Sequence, residues 1–222
     1  MFLEIDDVLT PEEVAELKAM AGKAQFVDGR ISSPHSIVKD NLQIDHADQA
    51  YAASSKLLAA ALQRNEAFRA FAFPALMAPP LLARYEPGMK YGMHSDSPII
   101  MIGARQLRSD ISCTVFLNEP DAYEGGALAV RVGTRVVEFK LKAGAAVIYP
   151  STTLHEVTPV TAGERLVGIT FIESQIADPA LRELLYELDE VAALEGNNMS
   201  WENRTRLQYV RSNLRRIWSG SA

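Results

Sequence analysis

The chain is short of cysteine: Cys113 is the only one in 222 residues. No intrachain disulfide can form and no thiolate cluster can hold a metal. Histidine is nearly as scarce, with four. Basic residues are outnumbered, since 22 Lys and Arg face 28 Asp and Glu for a formal net charge of -6. A field of that sign disfavours nucleic acid and anionic membranes as partners. No apolar run approaches the ~18 residues that cross a bilayer. The opening Met1-Phe2-Leu3-Glu4-Ile5-Asp6-Asp7 has neither the basic nor the apolar region of a secretion signal. These absences predict a soluble, cytoplasmic protein. The basic stretch from Arg204 to Arg216 is spread along a helical pattern and reads as a solvated face rather than a nucleic-acid patch.

The remaining composition, 48% hydrophobic and 23% charged, suits one globular unit. Thr10-Pro11-Glu12-Glu13 is a helix start, with a capping Thr, a Pro at the first turn and the Glu of a capping box. Val14, Leu17, Met20 and Ala21 then recur at helical spacing. A second helix is expected over 47–62, and Asn65 caps a short third. The segment 27–43 reads as irregular. After Phe71 the pattern changes to short strands punctuated by Gly, Pro and Asn: 81–86, 90–96, 111–118, 127–132, 135–141, 145–149, 155–160 and 165–173. The segment 97–108 reads as a loop. In 111–118, Ile111, Cys113, Val115 and Leu117 take one face, and Ser112, Thr114, Phe116 and Asn118 the other. Gly133-Thr134 marks a hairpin turn. Helices return over 179–194 and 201–218. The fold class is mainly β with flanking α: an all-β sandwich or barrel, a jelly roll being one solution. The expected organisation is 1–70 as N-terminal strand and helices, 71–175 as β core and 176–222 as C-terminal helices. An apolar stripe of Leu207, Val210, Leu214, Ile217 and Trp218 either packs within the chain or makes a homodimer.

Four residues carry the chemistry. His94 and Asp96 form a His-x-Asp triplet, His155 follows 59 positions after Asp96, and Arg165 comes ten after His155. Two imidazoles and a carboxylate hold non-haem ferrous iron on one face and leave positions open for O2 and a co-substrate. On a strand, residues i and i+2 share a face, so His94 and Asp96 suit one metal. Arg165 shares a face with Val167, Ile169 and Phe171, and an unpaired cation among them is costly unless a carboxylate guest pairs with it. Read singly, the same residues are rim histidines, with Asp96 capping the turn at Ser97-Pro98. Tyr85 is either a pocket hydroxyl or a core aromatic. Ser112 and Thr114 either line the pocket or fill the core. Tyr91 reads as packing, and His35 and His46 as solvated.

The run Arg84-Tyr85-Glu86-Pro87-Gly88-Met89-Lys90-Tyr91-Gly92-Met93-His94-Ser95-Asp96 resembles the metal-strand motif of prolyl-4-hydroxylase-like dioxygenases. Phe116-Leu117-Asn118-Glu119-Pro120, Tyr123-Glu124-Gly125-Gly126 and the stretch from Tyr149 to Thr161 are similar to the bacterial PKHD-type hydroxylases. The resemblance runs to about Asp189. It implies a double-stranded β-helix (jelly-roll) core with Fe(2+) held by His94, Asp96 and His155. It implies Arg165 as anchor for the far carboxylate of 2-oxoglutarate and Tyr85 as a co-substrate contact, while Ser112 and Thr114 are co-substrate candidates by the polar face of their strand alone. Phe116 stands where some members carry a hydroxylated aromatic. The activity implied is hydroxylation of an unactivated C–H bond with O2, releasing succinate and CO2, with ascorbate as a candidate reductant. The substrate implied is peptidyl, amino-acid-like or siderophore-related. The alternatives are another metal enzyme on this scaffold, or a metal or metabolite sensor.

Overall fold

Thr10 caps the first helix, Pro11–Lys23, in the expected way: its hydroxyl accepts from the Glu13 amide while the Glu13 carboxylate accepts from the Thr10 amide. The structure, a computed structural model, describes residues 1–220. Asn65 caps the helix Glu66–Ala72 through the Phe68 amide. The helix between them is Gln49–Arg64, capped by Asp48 rather than beginning at Ala47. These helices bury Leu17, Leu58, Leu62 and Phe68 against one face of a sheet. Each such side chain contributes ~1.5–3 kcal/mol by leaving water.

That sheet has eight strands, all antiparallel. Its order is Leu3–Ile5, Ala146–Pro150, Ile111–Phe116, Arg165–Ser174, Leu81–Tyr85, Leu42–Ile44 and Phe26–Asp28, with Pro74–Met77 pairing the far end of Arg165–Ser174. A smaller sheet faces it, in the order Arg135–Phe139, Leu128–Val132, His155–Val157, Lys90–His94 and Lys39–Asp40. Two antiparallel sheets closing on one interior make the expected jelly roll. The strand Ile111–Phe116 is buried along its whole length because each face has a cover. Ile111, Cys113 and Val115 point to the helices. Phe116 points to the interior between the sheets, together with Tyr85, Val147, Tyr149 and Val167. Burial pushes the Cys113 thiol up to about 12, so it is an inert core residue.

Several expectations need correction. Residues 97–108 are not a loop: Ile99–Ile102 and Arg105–Arg108 form a hairpin with Gly103-Ala104 as its two-residue turn. Residues 27–43 are not simply irregular, because Lys39–Asp40 ends the smaller sheet and Leu42–Ile44 joins the larger. The strand expected over 155–160 stops at Val157, before Thr158-Pro159. The chain resumes as a separate strand, Val160–Gly163, which pairs with Tyr123–Gly125. The C-terminal helices Pro179–Glu195 and Trp201–Ser219 pack within the chain, where Leu214 and Trp218 lie on Phe73, Ile176 and Leu185. No helix among the described residues is long and apolar enough to cross a membrane.

Candidate active site

Strand register brings the two site histidines together. His155 opens its strand directly opposite His94, the last residue of Lys90–His94, and their ring centroids are 4.3 Å apart. Each Nδ1 is fixed by a carbonyl two residues earlier, His94 by Gly92 at 2.8 Å and His155 by Thr153 at 2.9 Å. A carbonyl only accepts, so Nδ1 carries the proton and Nε2 keeps its lone pair. Both Nε2 atoms face Asp96, His94 at 3.9 Å from Oδ1 and His155 at 3.6 Å from Oδ2. One ligand atom from each of the three residues lies within 4.8 Å of the other two. Burial, reinforced by neighbouring His155, pulls the His94 pKa down to about 4. The ring is therefore neutral near pH 7, the form that binds a cation.

Asp96 does not share the strand of His94, which ends two residues earlier. It is held from the larger sheet instead. Its amide donates to the Ser151 carbonyl at 3.3 Å, and its Oδ2 accepts from the Ser112 hydroxyl at 2.5 Å. Ser112 Oγ lies 2.7 Å from Ser151 Oγ, and Ser109 Oγ lies 2.9 Å beyond. A carboxylate has no hydrogen to give, so the direction of this buried chain is set. Ser109 donates to Ser151, Ser151 to Ser112, and Ser112 to Asp96. One carboxylate oxygen is thereby committed and Oδ1 is left for a cation. Ser112 thus meets the Asp96 carboxylate rather than an open pocket, and Thr114 faces the buried Tyr149 hydroxyl.

Arg165 pairs with Tyr85 across neighbouring strands and is 2% exposed, the largest fully buried side chain. Its guanidinium carbon sits 5.0 Å from the Tyr85 ring centre and 5.7 Å from that of Phe116. Its Nε has no hydrogen-bond partner, and the buried hydroxyl of Tyr123 lies beside the guanidinium. No carboxylate among the described residues lies within ion-pair distance of it. Gly126 lets Tyr123 and Arg165 approach: a Cβ there would lie 3.1 Å from the Tyr123 ring and 3.2 Å from Arg165 Cδ. A buried guanidinium with an orphaned donor, beside a phenol whose own proton is free to donate, suits a guest that only accepts, which is to say a carboxylate. Burial raises the Tyr85 hydroxyl to about 12, so it stays protonated beside Arg165.

The structure therefore gathers His94, Asp96, His155, Arg165 and Tyr85 around one interior. Lys39, Tyr123, Ser109 and Ser151 also border the site, although residue type and spacing alone do not single them out. Tyr123 and Ser151 sit in motifs that carried the family resemblance, so a signal existed for them. Lys39 lay in the stretch read as irregular. It is 8% exposed, and burial lowers its pKa to about 8.

Residues 80–173 match the 2OG-Fe(II) oxygenase superfamily. A PKHD-type hydroxylase of Sphingopyxis alaskensis is 53% identical over 211 residues, covering 95% of this chain and 96% of that one. Another from Thermosynechococcus vestitus is 40% identical over 225 residues, covering 99% of each. A solved prolyl hydroxylase of Trichoplax adhaerens, in complex with a hypoxia inducible factor peptide fragment, superposes with a TM-score of 0.56 at 17% identity. It covers 78% of this chain and 83% of that one, a likeness in fold. By its sequence relatives the chain belongs to the PKHD-type hydroxylases, oxygenases that work with Fe(2+), 2-oxoglutarate and O2.

Proposed function

We propose that this oxygenase hydroxylates an unactivated C–H bond of a peptidyl or amino-acid-like substrate while 2-oxoglutarate is converted to succinate and CO2. His94, Asp96 and His155 are the iron ligands, and Arg165 takes the far carboxylate of 2-oxoglutarate. The observation that carries this reading is a guanidinium 2% exposed, with an orphaned Nε, in the same interior as three ligand groups within 4.8 Å. Iron, when bound, supplies the O2 activation and the C–H oxidation that no side chain here provides. The protein's part is to fix geometry. The Gly92 and Thr153 carbonyls orient the imidazoles, and the serine chain holds the carboxylate in one rotamer. Tyr85 and Phe116 wall the cation from water, which strengthens its grip on an anion. The peptide seen on the Trichoplax adhaerens enzyme supports a peptidyl or amino-acid-like substrate.

The test is direct. Anaerobic protein is loaded with Fe(II) and 2-oxoglutarate, exposed to O2, and assayed for succinate. His94→Ala, Asp96→Ala and His155→Ala are each titrated with Mn(II) by electron paramagnetic resonance. All three are expected to lose tight Mn(II) binding together with succinate formation. Wild-type affinity in the three variants refutes the ligand assignment.

A further inference from the structure

A second buried cation, Lys39, sits close to the ligand cluster. Lys39 belongs to the edge strand Lys39–Asp40 and lies opposite Tyr91 in register. Its Nζ donates to Ser32 Oγ at 2.8 Å and lies 5.3 Å from the centre of the Tyr91 ring. The Tyr91 ring stacks on His94, with centroids 3.6 Å apart. The ammonium is thus one aromatic ring away from a ligand imidazole. An ammonium has three donors, and only one is used. Among the described residues no carboxylate lies within ion-pair distance of Lys39. Of the acids that act on it from further off, Asp96 comes first and belongs to the ligand set, and Asp28 comes second and is taken by Arg30.

Charge balance says what is missing. This argument rests on the site assignment given above. In the loaded site, ferrous iron and the Arg165 guanidinium together carry three positive charges. Asp96 and the two carboxylates of 2-oxoglutarate carry three negative ones. The set is neutral without Lys39. Lys39 then leaves one positive charge in a buried interior, a state that a monoanionic guest relieves. We propose that Lys39 is the subsite for a carboxylate of the primary substrate. The carboxylate and the oxidised C–H bond then belong to the same small unit. A free amino acid and the C-terminal residue of a peptide both meet this requirement.

The protein is loaded with Mn(II) and saturating 2-oxoglutarate, which occupies Arg165. It is then titrated with acetate, or with acetamide as the uncharged control, at constant ionic strength, and the melting temperature is followed. Acetate is expected to give a saturable rise and acetamide none. The apparent Kd for acetate is expected to weaken by about tenfold or more in Lys39→Met, and to be retained in Lys39→Arg. Should Lys39→Met fail to fold, Lys39→Gln is measured in its place. An equal response of wild type and neutral variant, or of acetate and acetamide, overturns the proposal. N-acetyl-L-alanine and L-alanine separate the two sources: the tighter of them identifies a peptide end or a free amino acid. The wild-type control distinguishes the layers. If 2-oxoglutarate itself shifts no melting temperature in the presence of Mn(II), the site assignment fails. If it does and acetate does nothing, only the role of Lys39 fails.

Discussion

Replacing Arg165 with methionine should move stability and co-substrate binding in opposite directions. Methionine keeps much of the apolar volume and removes the charge. The guanidinium is 2% exposed, so water cannot substitute for it in gripping a carboxylate. Truncating one partner of a buried, hydrogen-bonded charge pair costs about 2–5 kcal/mol. That corresponds to a 2-oxoglutarate Kd weaker by roughly 30-fold to several thousand-fold. The protein without co-substrate behaves differently. There Arg165 is a buried cation with an unpartnered Nε and no ion pair, and apolar replacement of buried charges is neutral or stabilising by about 1–4 kcal/mol. Calorimetric titration of the Mn(II)-loaded variant with 2-oxoglutarate gives the first quantity. Scanning calorimetry of the apo form gives the second. An unchanged Kd with a lowered melting temperature would refute the reasoning. Arg165 would then be a structural cation held by the Tyr85 and Phe116 faces.

Three further outcomes follow from the same geometry. Ser112→Ala removes the hydroxyl that holds Asp96 Oδ2 and should weaken Mn(II) binding by about 10–100-fold; a change below about twofold would dismiss the serine chain as mere packing. Gly126 has φ +64, and a Cβ there would lie 2.9 Å from Val160 Cγ2, so Gly126→Ala should cost about 1–3 kcal/mol in urea unfolding and weaken 2-oxoglutarate binding through Arg165. Wild-type stability in that variant would count against the close approach. The Arg64 guanidinium beside Glu13 holds its carboxyl below its ordinary 4.5, so the stability it adds is fully present above that value and is lost as the pH falls through the lowered one. The melting difference between wild type and Glu13→Gln should therefore shrink on acidification, and a difference constant from neutral pH to about 3 would exclude the pairing.

What was readable in the sequence was local. The Thr10 and Asn65 caps need only residues three positions away. The alternation in Ile111–Phe116 shows directly because a strand faces two environments by turns, here helices and interior. The hairpin Ile99–Ile102 with Arg105–Arg108 had a signal in Gly103, but its apolar run masked any alternation. Strands of two or three residues such as Lys39–Asp40 and Leu42–Ile44 are too short to show a period. Apart from the nearby pairing of Leu42–Ile44 with Phe26–Asp28, their partners, around Tyr91 and Arg84, lie far along the chain. That is why the segment containing Lys39 read as irregular although it borders the site.

The sequence by itself determined the chemistry available: two imidazoles, one carboxylate and one guanidinium at strand ends. Residue type is a covalent property and survives any fold. Only the tertiary structure decided which of them meet. It set His155 opposite His94, swung Asp96 off its strand onto a serine of the other sheet, and buried Arg165 and Lys39 near the site with no ion pair to either. Those outcomes depend on strand order and register between distant segments, where a shift of one residue would turn each side chain to the opposite face.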